Sequence, residues 1–76
     1  MSETRAQYLA RIASDNAIAA TVLVGTVAET FFGETVLEGP VGETTPDGWD
    51  LYSVRHSGLL HDWSSAEIRA AFTKEA

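Results

Sequence analysis

The segment TPDGWDLYSVRH, residues 45–56, decides the fold of this 76-residue chain. Its first four residues are the clearest turn signal in the sequence, because Pro46 presets its own φ angle and Gly48 accepts a positive one. The alternation that follows predicts a strand over Trp49 to His56. Alternate side chains of that strand would share one face of a sheet: Asp50, Tyr52, Val54 and His56.

Upstream of this turn, a second strand is predicted near Thr35 to Val41, entered through a turn at residues 32–34. The Gly39-Pro40 pair should bulge or end that strand, because proline has no N–H to donate to the ladder. Strands joined by short turns form an antiparallel sheet.

The apolar segment over residues 17–32 has two interpretations. Its β-branched run from Thr21 to Val27 predicts a buried strand. A helix is the alternative, because five of its residues also form a stripe at helical spacing: Ala20, Val24, Val27, Ala28 and Phe31. We favour the strand; a helix would reduce the sheet to two strands.

Helices are predicted at both ends of the chain. The first covers residues 3–14, with Ser2 as N-cap and a stop at the polar triplet 14–16. The second covers residues 64–74, where Ser64 and Glu67 have the spacing of a capping box, and Trp63 can pack on Ile68 as a hydrophobic staple. The expected fold is a single small α+β domain over residues 1–76. Its order is α-β-β-β-α, a three-stranded antiparallel sheet flanked by N- and C-terminal helices that cover one face.

Composition narrows the function classes. The chain has no cysteine, which excludes disulfides and thiolate metal sites and favours a cytoplasmic location. The longest uncharged run, residues 16–28, is shorter than the roughly 20 residues that cross a bilayer. With 11 acidic and 5 basic residues the formal net charge is −6, which disfavours direct contact with nucleic acid or anionic membranes.

The acidic residues are concentrated in the middle of the chain. No Lys or Arg lies between Ile12 and Val54, whereas seven carboxylates do. This block predicts docking on a larger protein with a basic surface, of the kind that binds nucleic acid. Expected to steer that contact are Glu29, Glu34, Glu38, Glu43, Asp47 and Asp50. Trp49 and Tyr52 are the expected anchors, because interface hot spots favour Trp and Tyr.

No motif in the sequence predicts catalysis or a cofactor. His56 and His61 could be combined with Asp50 and Asp62 into a metal site, but their spacing is not that of established sites. A hydrolase triad of Ser53 or Ser57 with His56 and Asp62 lacks a nucleophile-elbow motif. The glycines form no phosphate-binding loop.

We therefore expect a non-enzymatic, acidic protein-binding module, an inhibitor or modulator of its partner. In size and acidity alone, the chain resembles the anti-defence inhibitors of phages and mobile elements, including anti-CRISPR proteins, and this resemblance of class implies no site residues. Two alternatives stay open. One is an assembly subunit that forms a homodimer through an open sheet face or edge. The other is a small metal-binding or hydrolytic protein around His56 and His61.

Overall fold

A computed structural model describes residues 2–73 of the chain, which form an α+β fold. Its elements are, in order, α1 (Arg5–Ala19), β1 (Val27–Thr30), β2 (Gly33–Thr44), β3 (Asp50–His56), β4 (Leu59–Ser64) and α2 (Ser65–Phe72). The strands lie in the order β1-β2-β3-β4, and all neighbours are antiparallel. The predicted class and the antiparallel sheet are confirmed. The predicted number of strands is wrong, because this part of the chain contains four rather than three.

Strand β4 is the element that the sequence did not reveal. Strand β3 ends at His56, as predicted, and Ser57 and Gly58 then form the turn of a tight hairpin that closes on the pair His56 and Leu59. Both turn residues have positive φ angles, 55° and 78°, the conformation that matches the twist of two-residue hairpins. The β4 residues, LLHDWS, include no β-branched residue and give no strand signal.

The strand predicted from Thr21 to Val27 is misplaced, because residues 21–26 are an irregular connection after α1 and β1 begins only at Val27. The Thr21 and Val22 N–H groups donate to the last carbonyls of α1. Gly25 takes a φ of 91°, and its N–H donates to the Leu37 carbonyl of β2. Val22 packs against the core, which accounts for part of the apolar character that resembled a strand.

Helix α1 begins later and ends later than predicted. Its N-cap is Thr4, which forms a capping box with Gln7, so the predicted Ser2 cap is wrong. The helix continues through the predicted stop to Ala19. The side chains of Asp15 and Asn16 do not compete for the helix backbone there, because they bond to groups on distant elements instead.

Helix α2 has the predicted N-terminus. The Ser64 hydroxyl accepts from the Glu67 N–H, and the Glu67 carboxylate accepts from the Ser64 N–H. The helix ends at Phe72. Residue 74, the predicted end, lies outside the described residues.

The two helices cover one face of the sheet. Core residues come from α1, α2 and three strands: Ala19, Leu37, Tyr52, Val54, Trp63 and Ile68. The alternation predicted for β3 is confirmed, with Tyr52, Val54 and His56 buried on this face. Neither helix packs on the opposite face, which we call the open face. The register places these residues on it: Val27, Glu29, Glu34, Val36, Glu38, Arg55, Leu60 and Asp62. Within residues 2–73, no helix is long and apolar enough to cross a membrane.

Candidate docking surface

Two phenylalanines form the turn of the β1–β2 hairpin. Phe31 is 96% exposed and Phe32 is 54% exposed. Their rings meet edge to face, with centroids 5.5 Å apart. Turns of this length usually carry Gly, Asn, Asp or Pro, and an apolar ring in the turn buries little surface in the fold. We call this pair the Phe tip.

The Phe tip is held by hydrogen bonds of the neighbouring threonine. The Phe32 N–H donates to the Thr30 hydroxyl at 3.1 Å, and this hydroxyl lies 2.9 Å from that of Thr35. Gly33 closes the turn with a φ of 91°, which a residue with a side chain rarely adopts. The two rings therefore project from a fixed hairpin.

Phe32 is also fixed by a stack of rings on the covered face of the sheet. Its ring is stacked on His56 at 4.6 Å, and His56 is stacked on His61 at 3.8 Å. The Trp63 ring lies 5.7 Å from His56. This stack orients Phe32 and leaves Phe31 as the outermost ring of the surface.

Burial lowers the pKa of His56, and the nearby imidazole of His61 lowers it further. The Nδ1 atom of His56 lies 3.1 Å from the Ser57 hydroxyl, and Nε2 of His61 lies 3.3 Å from the His56 carbonyl oxygen. The lowered pKa keeps the His56 ring neutral near pH 7. The His56 ring therefore contacts Phe32 as an uncharged aromatic ring and not as a cation.

A groove of about 540 Å³ separates the Phe tip from α2. Aromatic and small apolar side chains form most of its wall: Phe31, Phe32, Trp63, Ala70 and Ala71. Glu29 and Glu67 also line it. Apolar walls with carboxylates suit a side chain that has an aliphatic stem and a cationic end, such as lysine or arginine.

The predicted acidic residues do not form one patch. Glu29 and Glu34 lie directly opposite each other next to the Phe tip. Glu38 follows on the open face, where its carboxylate is 3.2 Å from the Arg55 guanidinium. Glu43 and Asp47 belong to the other end of the sheet, at and beyond the end of β2. The sequence block is therefore divided between the two ends of the domain.

Arginines of β3 and α2 neutralise part of the block. Arg69 of α2 approaches the buried carboxylate of Asp15 to 2.8 Å, and Arg55 pairs with Glu38. Arg11 pairs with Glu3 outside the block. The block as a whole is thus less acidic than its residue count implies, whereas Glu34 beside the Phe tip is exposed and lies outside these three ion pairs.

The two predicted anchors lie in other surroundings. Tyr52 is only 7% exposed and belongs to the core, so it lacks the exposure that an anchor needs. Trp49 is half-buried against α1: its Nε1–H donates to Asp15 at 3.2 Å, and its ring meets Tyr8 edge to face. The neighbouring Asp50 is half-buried too, and its N–H donates to the Asn16 side chain.

The histidines do not assemble with carboxylates. Among the residues that the structure describes, no three His, Asp or Glu side chains converge as a metal site would require. The register places Asp62 on the open face and His56 on the covered face, so the hydrolase triad considered above is not brought together.

Comparison with protein-family models, curated proteins and solved structures gave no match to this chain.

Proposed function

We propose that this chain is a non-enzymatic protein-binding module whose anchor is the Phe tip. Its partner is a larger protein that has an apolar pocket bordered by basic residues, and the module acts by occupying that surface. The supporting observation is Phe31, an almost fully exposed aromatic ring at the end of a fixed hairpin. Fixed, exposed aromatic side chains are typical of interface hot spots.

Charge supports the choice of a basic partner. The net charge is −6, and Glu34 is exposed beside the tip. Opposite charge on the partner would accelerate association and fix its orientation. Basic surfaces of this kind occur on proteins that bind nucleic acid, so competition with nucleic acid is the proposed mode of inhibition, in the cytoplasm.

The groove behind the tip gives the interface a second contact. A lysine or arginine of the partner would enter between the Phe tip and α2, with its stem on Ala70 and Trp63 and its charge near Glu67. Such an interlock would bury Phe31 in the partner and a partner side chain in the groove. Both contacts depend on the hairpin position that the Phe32–His56 stack fixes.

The size of the anchor effect follows from burial. Burying a phenylalanine removes roughly 150–250 Å² from water, and hot-spot truncations cost about 2 kcal/mol or more. Phe31→Ser should therefore weaken Kd by roughly thirtyfold or more. The fold should tolerate this change, because the Phe31 ring is exposed.

The test compares affinity capture by the immobilised wild type, Phe31→Ser and Leu23→Ser from extracts of the source cells. Leu23 is the matched control, because it is an exposed apolar residue (77%) in the connection that precedes β1. Captured proteins are identified by mass spectrometry, and Kd for the purified partner is measured at low and high salt. We expect capture by the wild type and Leu23→Ser, loss with Phe31→Ser, and weaker binding at high salt. Equal capture by all three proteins would contradict the anchor, and a salt-independent Kd would contradict the basic partner.

A further inference from the structure

The outer edge of β4 carries backbone groups without sheet partners. The two-residue hairpin closes on His56 and Leu59, so these two residues exchange backbone hydrogen bonds. Because the direction alternates along a strand, the N–H and C=O groups of Leu59, His61 and Trp63 point toward β3. The backbone groups of Leu60 and Asp62 then point to the edge. Within residues 2–73, no further strand pairs with β4 on that side.

This edge has little of the protection that usually blocks a sheet edge. The strand contains no proline, lysine or register shift, and Asp62 is its one charged residue. Leu59 and Leu60 are 65% and 56% exposed. A regular edge with exposed apolar side chains is a template for pairing with another strand.

We infer that two copies of this chain associate by antiparallel pairing of β4 with the partner's β4, about a twofold axis at His61. The inference does not depend on the proposed function, because it rests on the backbone edge of β4 and not on the exposure of the Phe tip. This pairing of the two β4 strands would join the four-stranded sheets of the two chains into one continuous sheet.

Two β4 strands can pair in three ways near the middle of the strand, with the twofold axis at Leu60, His61 or Asp62, and the three pairings bring different residues together. An axis at Asp62 places the two Asp62 carboxylates opposite each other, which is destabilising. It also pairs Leu60 with the partner's Ser64, whose N–H is already donated to Glu67. An axis at Leu60 pairs Asp62 with the partner's Gly58, a turn residue.

An axis at His61 avoids these conflicts. Leu60 lies opposite the partner's Asp62, and both residues direct their backbone groups to the edge, so each such pair exchanges its N–H and C=O groups. On the covered face, Leu59 lies opposite the partner's Trp63. The two Asp62 residues are offset along the strands, with roughly 8 Å between their Cα positions by strand geometry.

Charge opposes this association, since each copy has a net charge of −6. Added salt should therefore strengthen the dimer, the opposite of its expected effect on docking to a basic partner. The contact surface of a single strand edge is small, so the dimer should be transient and visible at high concentration.

The first test is sedimentation velocity of the full chain from 10 µM to 1 mM in 0.5 M salt. Leu60→Glu places a carboxylate directly opposite the partner's Asp62 in both such pairs, which is destabilising. We expect a concentration-dependent dimer for the wild type and for the control Leu23→Glu, which carries the same added charge, and a monomer for Leu60→Glu at all concentrations. A wild type that stays monomeric at 1 mM would overturn the inference. So would a dimer that Leu60→Glu leaves unchanged.

The second test determines the register by cross-linking, which the absence of native cysteine makes unambiguous. His61→Cys would place two thiols opposite each other at the axis, within the Cα distance that a disulfide bridges, whereas the Asp62→Cys thiols would be too far apart. Under mild oxidation we expect a covalent dimer at least tenfold faster for His61→Cys. Faster cross-linking of Asp62→Cys would overturn this register.

Discussion

Replacement of Asp15 by alanine should destabilise the fold more than any other single change to a charged residue in the described part of the chain. Asp15 is a buried carboxylate of α1 that joins two other elements. It accepts from the Trp49 indole at 3.2 Å and from the Arg69 guanidinium at 2.8 Å. Its loss would remove one link from α1 to the β2–β3 turn and one to α2, although the Asn16 hydrogen bonds to Gly48 and Ser65 remain.

The magnitude follows from the surroundings of each partner. Removing one member of a fully buried ion pair costs about 3–5 kcal/mol, but the Arg69 side chain is 37% exposed and can regain water. The lost indole hydrogen bond adds about 1 kcal/mol. We expect Asp15→Ala to lower the free energy of unfolding by about 3 kcal/mol, against a total of roughly 4–11 kcal/mol for a chain of this size.

The assay is urea unfolding followed by tryptophan fluorescence, for the wild type, Asp15→Ala, Arg69→Met and the double variant. These four proteins form a double-mutant cycle, which isolates the interaction between Asp15 and Arg69, and we expect a coupling energy of about 1–2 kcal/mol. Glu3→Ala is the control, because Glu3 and Arg11 form an ion pair at 3.1 Å that is exposed on both sides. The reasoning fails if Asp15→Ala is no more destabilising than Glu3→Ala, or if the cycle shows no coupling.

Three further predictions concern the histidine stack, a cap and a turn. The pKa of His56 is lowered in the folded state, so the unfolded state binds more protons. The free energy of unfolding should therefore decline as the pH falls below about 6.5. Urea titrations at several pH values should show a smaller decline for His56→Phe than for the wild type. Ser64→Ala should cost about 1 kcal/mol in the same urea assay, because it removes the acceptor of the capping box of α2; a cost of zero would contradict the cap. Ser57→Asn should raise the thermal midpoint, because Asn tolerates the positive φ of 55° better than serine; a lower midpoint would contradict the assigned turn.

Local signals predicted the elements that local chemistry determines. The capping box of Ser64 and Glu67 fixes where α2 begins, and the alternation of β3 fixes which of its faces is buried. The strand predicted from Thr21 to Val27 was misplaced, with only Val27 in β1, because β-branched apolar residues suit a strand and a packed connection equally well. Strand β4 was missed because tertiary pairing, rather than residue preference, makes it extended.

The candidate site was harder to predict, because its parts meet only through the register of the sheet. Large aromatic residues serve a core and an interface equally well, so the sequence could not separate Tyr52 in the core from Phe31 at the surface. Two aromatic residues directly before Gly33 were the available signal for a hairpin turn with exposed rings. The acidic block was continuous in sequence, yet the length of β2 separates Glu34, near its start, from Asp47, beyond its end.

The two proposed surfaces make the salt dependence of this protein informative. Docking to a basic partner should weaken as salt rises, because opposite charges are screened, whereas pairing of two β4 strands should strengthen, because like charges are screened. The Phe31→Ser change should alter only the first response, and Leu60→Glu, which faces the partner's Asp62, should abolish the second. If one substitution removed both responses, the hairpin tip and the β4 edge would belong to a single interface, and the separation of the two surfaces would be wrong.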